Sequence, residues 1–414
     1  MGSTHTLLTP TVIAKEGLMR LRNNLVMGAR VHRDYEQEFR KIGGTVTIRK
    51  PNKFVVKTGR TRQTQTITES SITLTVSTQK HVSWAFNTAD LTLTIDKYSE
   101  RYVTPGAIAL ANSIDADVLA LYKDVFNEVW ESTGFVNPST FMVMGKAGQR
   151  LDEEAVEQDG RCVVFNPAAN WSMANALSNT FVTKVSEKAL IKGYLSTIAN
   201  MDIFMDQNVK VHTTGTFHDT GSTAAIILGT TTPISSTGAV LTSLELIHFR
   251  VVAAAALNQG DVFTIAGIYA VNPVSGESTG SLRQFVVTAN ATAAATATSA
   301  IVTVHVDPPL IHTGPYKTVD TIPAAGAAVT IVGTQTEPYP INLAFHKNAF
   351  ALVMVPLVKP ANTWGATAVE DGFSIRVLKA YDISTDDEIC RMDVLYGTKT
   401  LYPELAVRIR GAEG

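Results

Sequence analysis

Apolar residues recur at helical spacing in two segments of the chain. The first set is Ala14, Leu18, Leu21 and Leu25. A Thr-Pro pair at positions 9 and 10 is typical of a helix start, so the pattern predicts a helix to about Ala29. The second set is Ile114, Val118, Leu121, Val125 and Val129. It predicts a helix over 105–131, roughly 40 Å long, which is either an extended strut or an ordinary helix packed on a sheet.

Elsewhere apolar and polar residues alternate, as they do in strands with one buried face. Alternation over 46–49, 54–57, 72–76 and 82–86 surrounds a polar stretch, Gly-Arg-Thr-Arg, at 59–62. This arrangement predicts a long β-hairpin with a basic tip. Many Thr and Ser interrupt its apolar face, which is typical of a ribbon that cannot bury a full core by itself.

The remaining pattern predicts one α+β domain that is interrupted. Its first part has a strand at 163–165, a turn at 166–167 and then a helix through Leu177. Its second part resumes with a strand at 343–345 and ends in two alternating stretches, 373–377 and 390–396.

Residues 214–340 differ in composition from both parts. They contain three basic and seven acidic residues within tracts rich in Thr, Ser, Ala and Gly. Short apolar alternations bounded by turn residues recur at 262–268, 285–288, 301–306 and 329–332. We therefore predict an inserted all-β domain, a barrel or a sandwich. Surface loops accept such insertions because the termini of a domain often lie close together.

Charge is scarce and unevenly distributed. Only 17% of the 414 residues are charged, and the formal net charge is -2. Residues 1–62 hold 13 basic and four acidic residues, a net charge of +9, so the other 22 basic and 33 acidic residues carry -11. Opposite charges in different parts of a chain favour subunits that meet head to tail. An ordinary solvated basic helix fits the same pattern, and nucleic-acid binding fits it less well because few aromatic residues accompany the charge.

No motif of the sequence indicates catalysis, metal binding or membrane insertion. Cys162 and Cys390 are too few for a disulfide framework and too far apart for a paired-cysteine zinc site, which favours a cytosolic folding compartment. The strand setting of Cys162, between Arg161 and Val163, favours a buried structural thiol. The nine histidines form no pair with the spacing of a zinc site on a helix. Phosphate loops, nucleophile elbows, secretory signals and membrane-length apolar runs are also missing. We therefore expect a protein that is not an enzyme and has no cofactor, metal or membrane partner.

Four segments carry a resemblance to a known family. They are Val-Val-Phe-Asn-Pro-Ala at 163–168, Gly-Asp-Val-Phe-Thr-Ile-Ala-Gly-Ile at 260–268, Asn-Leu-Ala-Phe-His-Lys-Asn-Ala-Phe at 342–350 and Cys-Arg-Met-Asp-Val-Leu-Tyr-Gly at 390–397. In this order the chain resembles the major capsid (coat) proteins of tailed bacteriophages, of the short-tailed-phage type in which an inserted β-barrel domain interrupts the Johnson fold. None of the segments is a catalytic signature, so the resemblance depends on their order and on the architecture.

The resemblance implies an α+β fold of the Johnson type and a division of the chain into five parts. These are an N-terminal arm (1–45), an extended β-hairpin loop (46–96), a spine helix with peripheral domain (97–159), an axial domain with the remaining peripheral strands (160–213 and 341–414) and the inserted β-barrel domain (214–340).

The resemblance also implies a function and its partners. The function is that of a major capsid protein that self-assembles, in the host bacterial cytoplasm, into the hexamers and pentamers of an icosahedral virion capsid. The implied partners are a separate scaffolding protein, a portal protein and encapsidated double-stranded DNA, bound without sequence specificity; a decoration protein stays open. Given the charge asymmetry, we expect Lys57, Arg60 and Arg62 to contact a neighbouring subunit. The alternative is a β-rich surface adhesin or binding module, against which the missing secretion signal counts, and a hydrolase ranks third.

Overall fold

The fold is described from a computed structural model. The described residues are 10–35, 44–54, 56–62, 64, 69–87, 99–131, 137–178, 197–216, 226–227, 245–251, 255–293, 300–323, 327–361 and 363–412. The chain divides into two compact units: the first comprises Met1–Ile48, Thr73–Leu119 and Phe350–Lys399, and the second comprises Arg49–Ile72, Ala120–Ala349 and Thr400–Gly414.

Helices are few and strands are many. Among the described residues, the α-helices are α1 (Pro10–Asn24), α2 (Thr104–Leu119), α3 (Phe141–Glu153) and α4 (Pro167–Ser178). The strands are β1 (Thr45–Arg49), β2 (Ser71–Thr75), β3 (Thr78–Asn87), β4 (Glu128–Trp130), β5 (Arg161–Phe165), β6 (Thr197–Ile198), β7 (Met201–Met205), β8 (Val211–Thr213), β9 (Ile226–Ile227), β10 (Glu245–Val251), β11 (Ala256–Leu257), β12 (Val262–Val271), β13 (Ser278–Val287), β14 (Ala291–Thr292), β15 (Ala300–Asp307), β16 (Val329–Ile331), β17 (Pro338–Pro340), β18 (Asn342–His346), β19 (Phe350–Met354), β20 (Trp364–Glu370), β21 (Phe373–Asp382), β22 (Asp387–Thr400) and β23 (Ala406–Arg410). This composition confirms the predicted α+β class.

In the first unit, α1 buries Ala14, Leu18 and Leu21 of the predicted stripe of apolar residues, and Leu25, just after the helix, is buried as well. The helix is shorter than predicted, because it ends at Asn24 and not near Ala29. The carboxylate of Asp115, itself buried, accepts hydrogen bonds from the backbone N–H groups of Val26 and Gly28, both at 2.7 Å. These bonds bind the chain outside a helical geometry, since a continuing helix would direct those N–H groups to the preceding turn.

The prediction of one helix over 105–131 is wrong in its second half. The helix α2 ends at Leu119, a 3-10 turn covers Ala120–Asp124, and β4 follows. The strand β4 pairs in parallel with β23, from a segment almost 300 residues away. Val129 is therefore buried in a sheet rather than on the helical stripe, and periodicity alone did not separate the two arrangements.

The strand β22 is the centre of the first unit's sheet. It pairs antiparallel with β3 over ten residue pairs, from Asp387 with Asn87 to Tyr396 with Thr78, and it also pairs with β21 and β19. The predicted long hairpin is thus split, because β1 pairs with β2 in a two-stranded sheet and β3 leaves the ribbon for β22. The predicted extended segment 54–57 has no strand among its described residues.

The second unit contains a mixed sheet of six strands, ordered β4-β23-β18-β5-β7-β6. Helices α3 and α4 contribute Val143, Leu151 and Met173 to its buried core, together with Phe165 and Ile409 from the strands. The sequence predicts β5, α4 and β18 at these places, and the structure confirms them.

A second six-stranded sheet, ordered β16-β12-β13-β15-β10-β9, is antiparallel throughout. Its own buried core includes Phe263, Phe285, Val304 and Leu310. Strands at the four predicted alternations are confirmed, and all lie within 214–340. The two ends of that segment are adjacent, because β8 pairs with β17 through Thr213 with Pro338 and His212 with Tyr339. The domain boundaries drawn from the sequence stay a prediction.

Among the described residues, no helix combines the length and the apolar character that crossing a membrane requires.

Candidate functional site

The three basic residues expected to contact a neighbouring subunit lie in one loop of the second unit. Lys57, Arg60 and Arg62 are all exposed and follow β1 along the chain. Gly59, between them, has a φ of 125°, a conformation that favours glycine. The three charges therefore lie on one exposed stretch of the loop.

The base of this loop is held in place within the second unit. The Tyr316 hydroxyl lies 3.4 Å from both the Asn52 Oδ1 and the backbone nitrogen of Lys53. The Lys50 ammonium group lies 5.3 Å from the centre of the Tyr402 ring, within the range of a cation–π contact. The loop thus has a fixed base, which lowers the entropy lost when its exposed part binds a partner.

Two large apolar side chains of the loop face solvent. Phe54 is 64% exposed and Val56 is 93% exposed. Each would gain about 1.5 to 3 kcal/mol if a neighbour buried it fully. Basic residues flank Phe54 and Val56 in the sequence. A partner surface complementary to this part of the loop would therefore carry both apolar and acidic side chains.

A buried polar cluster holds the chain where it enters the segment 214–340. Asp261 is 1% exposed, and its carboxylate accepts hydrogen bonds from the N–H groups of Asn258 at 2.7 Å and Gly215 at 3.1 Å. The His212 Nε2 lies 2.9 Å from the same carboxylate, and its Nδ1 lies 3.1 Å from the Tyr122 hydroxyl. Asp261 therefore binds the chain directly after β8, at Gly215, and it is linked through His212 to Tyr122 in the segment after α2.

The mixed sheet contributes two buried arginines to the same cluster. Arg408 donates from Nη1 to the Gly260 carbonyl at 2.5 Å, and Arg410 donates from Nε to the Glu128 carboxylate at 2.6 Å. Gln284 accepts from the Glu128 N–H and donates to the Glu128 carbonyl, both at 2.8 Å. This amide imitates the hydrogen bonds of a strand pair and joins β13 to β4.

A second attachment lies at the C-terminal end of α3. Arg283 of β13 pairs with Glu154 at 2.6 Å, and both side chains are almost fully buried. The Glu153 carboxylate lies 3.3 Å from the Ser281 hydroxyl, and its backbone carbonyl accepts from Asn272 at 3.3 Å. The antiparallel sheet is thus fixed to the mixed-sheet part at two separated places.

Burial and neighbouring charge shape the titration of this cluster. Burial raises the pKa of Tyr122, while the Arg408 guanidinium lowers it and Asp261 raises it further. Burial lowers the pKa of Arg408, and the Glu128 carboxylate opposes that shift. Because each buried charge depends on an opposite partner, removing one leaves the other with an uncompensated desolvation cost.

Asp307, at the end of β15, is a carboxyl group in an unfavourable place. Burial is the main cause that raises its pKa to about 6, and Glu404 raises it further. Lys50 and Arg283 lower the pKa, and Asp124 raises it. At neutral pH the structure therefore holds a carboxylate that would be more stable in water.

Sequence reasoning placed none of these cluster residues at a site. His212 belongs to no histidine pair with the spacing of a zinc site, so the sequence gives no sign of its role. A signal was present in β23, where Arg408 and Arg410 interrupt an otherwise apolar strand and both are buried. Buried arginines require acidic or carbonyl partners, although the sequence does not name them.

Other candidate chemistry takes an ordinary place in the fold. Cys162 is buried with its Sγ 3.6 Å from the Phe345 carbonyl, which confirms the structural thiol. Within the described part of the chain, no three His, Cys, Asp or Glu residues are grouped so that they could hold a metal ion.

Replacing the buried carboxylate should weaken the attachment of the inserted segment. We expect Asp261→Asn to lower the free energy of unfolding by about 2 to 3 kcal/mol, because charge-assisted hydrogen bonds are lost while their donors stay buried. Urea denaturation, followed together with proteinase K cleavage, measures the effect. Glu277→Gln is the control, because Glu277 is an exposed residue just before β13 and the change in charge is the same. An equal response of both variants would contradict this role.

Neutralising Asp307 should stabilise the protein in a pH-dependent way. The folded state binds this proton more tightly than the unfolded chain, whose Asp pKa is 3.8. The carboxyl group's contribution to the free energy of unfolding therefore falls as pH rises from about 4 to about 6. We expect Asp307→Asn to raise the free energy of unfolding by about 2 kcal/mol at pH 7.5 and by little at pH 4. Denaturation at both pH values, with Glu277→Gln beside it, tests this; a gain that is the same at both would speak against it.

Comparison with known proteins gives a family match that spans nearly the whole chain. The model of the P22 coat protein family (P22 coat protein, gene protein 5) matches residues 3–411. A curated relative, the major capsid protein of Acyrthosiphon pisum secondary endosymbiont phage 1, is 33% identical over 96 residues, which are 23% of this chain and 23% of that protein. The aligned part thus spans about a quarter of the relative's length.

Solved structures of phage proteins are also similar. A structure from Mycobacterium phage Che8 has a TM-score of 0.48 and 13% identity, covering 93% of this chain and 90% of its own. The CUS-3 coat protein I-domain is 28% identical over 27% of this chain and 98% of its own, with a TM-score of 0.20. The family match covers residues 3–411, and it confirms the resemblance found in the sequence. The chain belongs to the P22 coat protein family.

Proposed function

We propose that the chain is the major capsid protein of a tailed double-stranded DNA bacteriophage. The observation that carries this proposal is the family match over residues 3–411. The chain acts as a structural subunit without catalytic activity. It assembles with its own copies into hexamers and pentamers of an icosahedral head, and its final location is the virion capsid. The β-rich adhesin considered from the sequence has no comparable support.

The partners belong to the same proposal. A separate scaffolding protein guides assembly in the host cytoplasm, a portal protein occupies one vertex, and the DNA inside is held without sequence recognition. The net charge of -2 supports the last point, because strong phosphate binding needs many basic contacts. A decoration protein stays an open partner.

The parts of the subunit follow the division drawn from the sequence, with 214–340 as the inserted domain. The pairing of β8 with β17 supports this division, because it brings the two ends of the segment together. The exposed loop with Lys57, Arg60 and Arg62 then contacts a neighbouring subunit. Single contacts of this kind are weak, with exposed ion pairs contributing about 0 to 1 kcal/mol, but a closed shell repeats each of them many times.

Assembly of the purified chain tests the proposed function. We expect shells, tubes or capsomers in negative-stain images when the chain is expressed alone or together with the scaffolding protein of its phage. The related measurement is sedimentation velocity at several protein concentrations. A uniform monomer under every condition would refute a capsid role.

Charge reversal in the loop tests its part in assembly. We expect Arg60→Glu with Arg62→Glu to reduce assembled particles about tenfold, because opposite charges no longer face each other. The thermal midpoint of the monomer should change by little, since both side chains are exposed. Images and sedimentation measure assembly, and circular dichroism serves as the folding control. Normal assembly of the reversed variant would remove the loop from the interface.

A further inference from the structure

A small polar pocket lies in the second unit where α3 meets β4 and β13. Its volume is about 230 Å³. The lining comes from all three residues of β4, from Ser281 of β13 and from three polar side chains of α3, which are Lys146, Gln149 and Arg150. Pockets for drug-sized ligands begin at about 300 Å³. This pocket therefore has room for a small molecule or for a single chemical group.

Two cations of the lining lie about one helical turn apart. Lys146 and Arg150 are four residues apart on α3, so their side chains lie on the same face of the helix, where like charges repel each other. The Arg150 guanidinium has an acidic partner, because its Nη1 lies 3.1 Å from Glu153 Oε2. The Lys146 ammonium donates to the Trp130 carbonyl at 3.1 Å, and it forms no ion pair with another of the described residues. The charge of Lys146 is therefore not compensated within this part of the chain.

The carboxylate in the lining is already paired with arginines. Glu128 Oε1 lies 2.6 Å from Arg410 Nε, and Glu128 Oε2 lies 3.7 Å from Arg408 Nη1. Four basic and two acidic side chains thus line the pocket or pair with its lining, an excess of two positive charges. Such an excess attracts an anion into the pocket.

The hydrogen-bond donors of the pocket are those that hold phosphate in proteins. An arginine presents paired N–H groups to two oxygens, and a lysine adds a point charge. A phosphate group has enough oxygens for both cations and for the Ser281 hydroxyl, whereas a carboxylate has only two. A phosphate monoester also carries a charge of about −1.5 to −2 at pH 7, which matches the local excess.

We propose that this pocket binds a phosphate group, either as inorganic phosphate or on a small phosphate ester. The ligand accepts hydrogen bonds from Lys146 and Arg150 of α3 and from Ser281 of β13, so it joins the helix to the antiparallel sheet. This place adjoins the attachment that Arg283 forms with Glu154. Because the ligand binds the folded form, it stabilises that attachment by mass action.

Calorimetric titration of the purified, unassembled chain tests the site. The probes are inorganic phosphate and glycerol 3-phosphate, each added at neutral pH and constant ionic strength. We expect one saturable site per chain, with a Kd of about 1 mM or lower for at least one probe. Tighter binding of inorganic phosphate identifies the free ion as the ligand, and tighter binding of glycerol 3-phosphate identifies an ester.

Acetate is the carboxylate comparison in the same titration. We expect it to bind at least about tenfold more weakly, because it offers fewer oxygens and less charge. An absence of saturable binding for both phosphate probes would overturn the proposal, and so would acetate that binds as tightly as they do.

Two variants show whether the binding occurs in this pocket. Lys146 is exposed, so Lys146→Gln keeps the fold. We expect this variant to raise the Kd at least about tenfold, because a charge-assisted hydrogen bond is lost. Ser281→Leu fills the pocket without a change in charge and should raise the Kd as well. Circular dichroism checks the fold of each protein, and the lysine variant alone decides if Ser281→Leu does not fold.

The matched control is Lys359→Gln, which removes the charge of an exposed lysine in the first unit. It should bind phosphate like the unaltered chain. Unchanged binding by Lys146→Gln, or an equal loss of affinity in Lys359→Gln, would show the proposal to be wrong, because the ligand would then bind elsewhere or through net charge alone. These titrations need no assembled particles, so their outcome is independent of the proposed capsid function.

Discussion

The pairing of β8 with β17 is the constraint on which the second unit depends. These strands have three residues each, and so short a ladder is marginal by itself. Two buried side chains add further hydrogen bonds next to this ladder. Asp261 binds His212 of β8 and the N–H group of Gly215, and Arg408 binds the Gly260 carbonyl. A buried charge tolerates little displacement from its partner. Hence the antiparallel sheet has one orientation on the mixed sheet, with Gln284 binding in the same cluster and Arg283 at the second attachment.

Local patterning predicted most of the elements but not their ends or their long-range partners. The buried stripe of α1 and the strands β5, β12 and β18 follow from periodicity alone. The end of α1 does not, because Asp115 lies 87 residues from Gly28 along the chain. The prediction also missed that the chain after α2 becomes a strand. The pairing of β4 with β23 involves residues about 280 positions away, so local periodicity does not indicate it. The polar cluster escaped prediction because its partners are brought together by folding, as with Arg408 and Gly260, which are 148 residues apart.

The few charged residues of the chain occur in two kinds of place, in buried ion pairs and on exposed loops. In the second unit, several charges are buried as matched pairs, such as Arg283 with Glu154 and Arg410 with Glu128. Such pairs specify an arrangement more than they stabilise it. Other charges are exposed beside apolar side chains, as Lys57 and Arg60 are near Phe54 and Val56.

The position of β22 affects how the first unit resists force. Its ladder with β3 joins ten residue pairs in one continuous register. A pull along the strands loads all of these hydrogen bonds together, whereas a pull at one end opens them one after another. Since β21 borders the same strand on its other side, shear is shared between two ladders. A wall built from such sheets would therefore be stiff when stretched along β22 and weaker when peeled from its end.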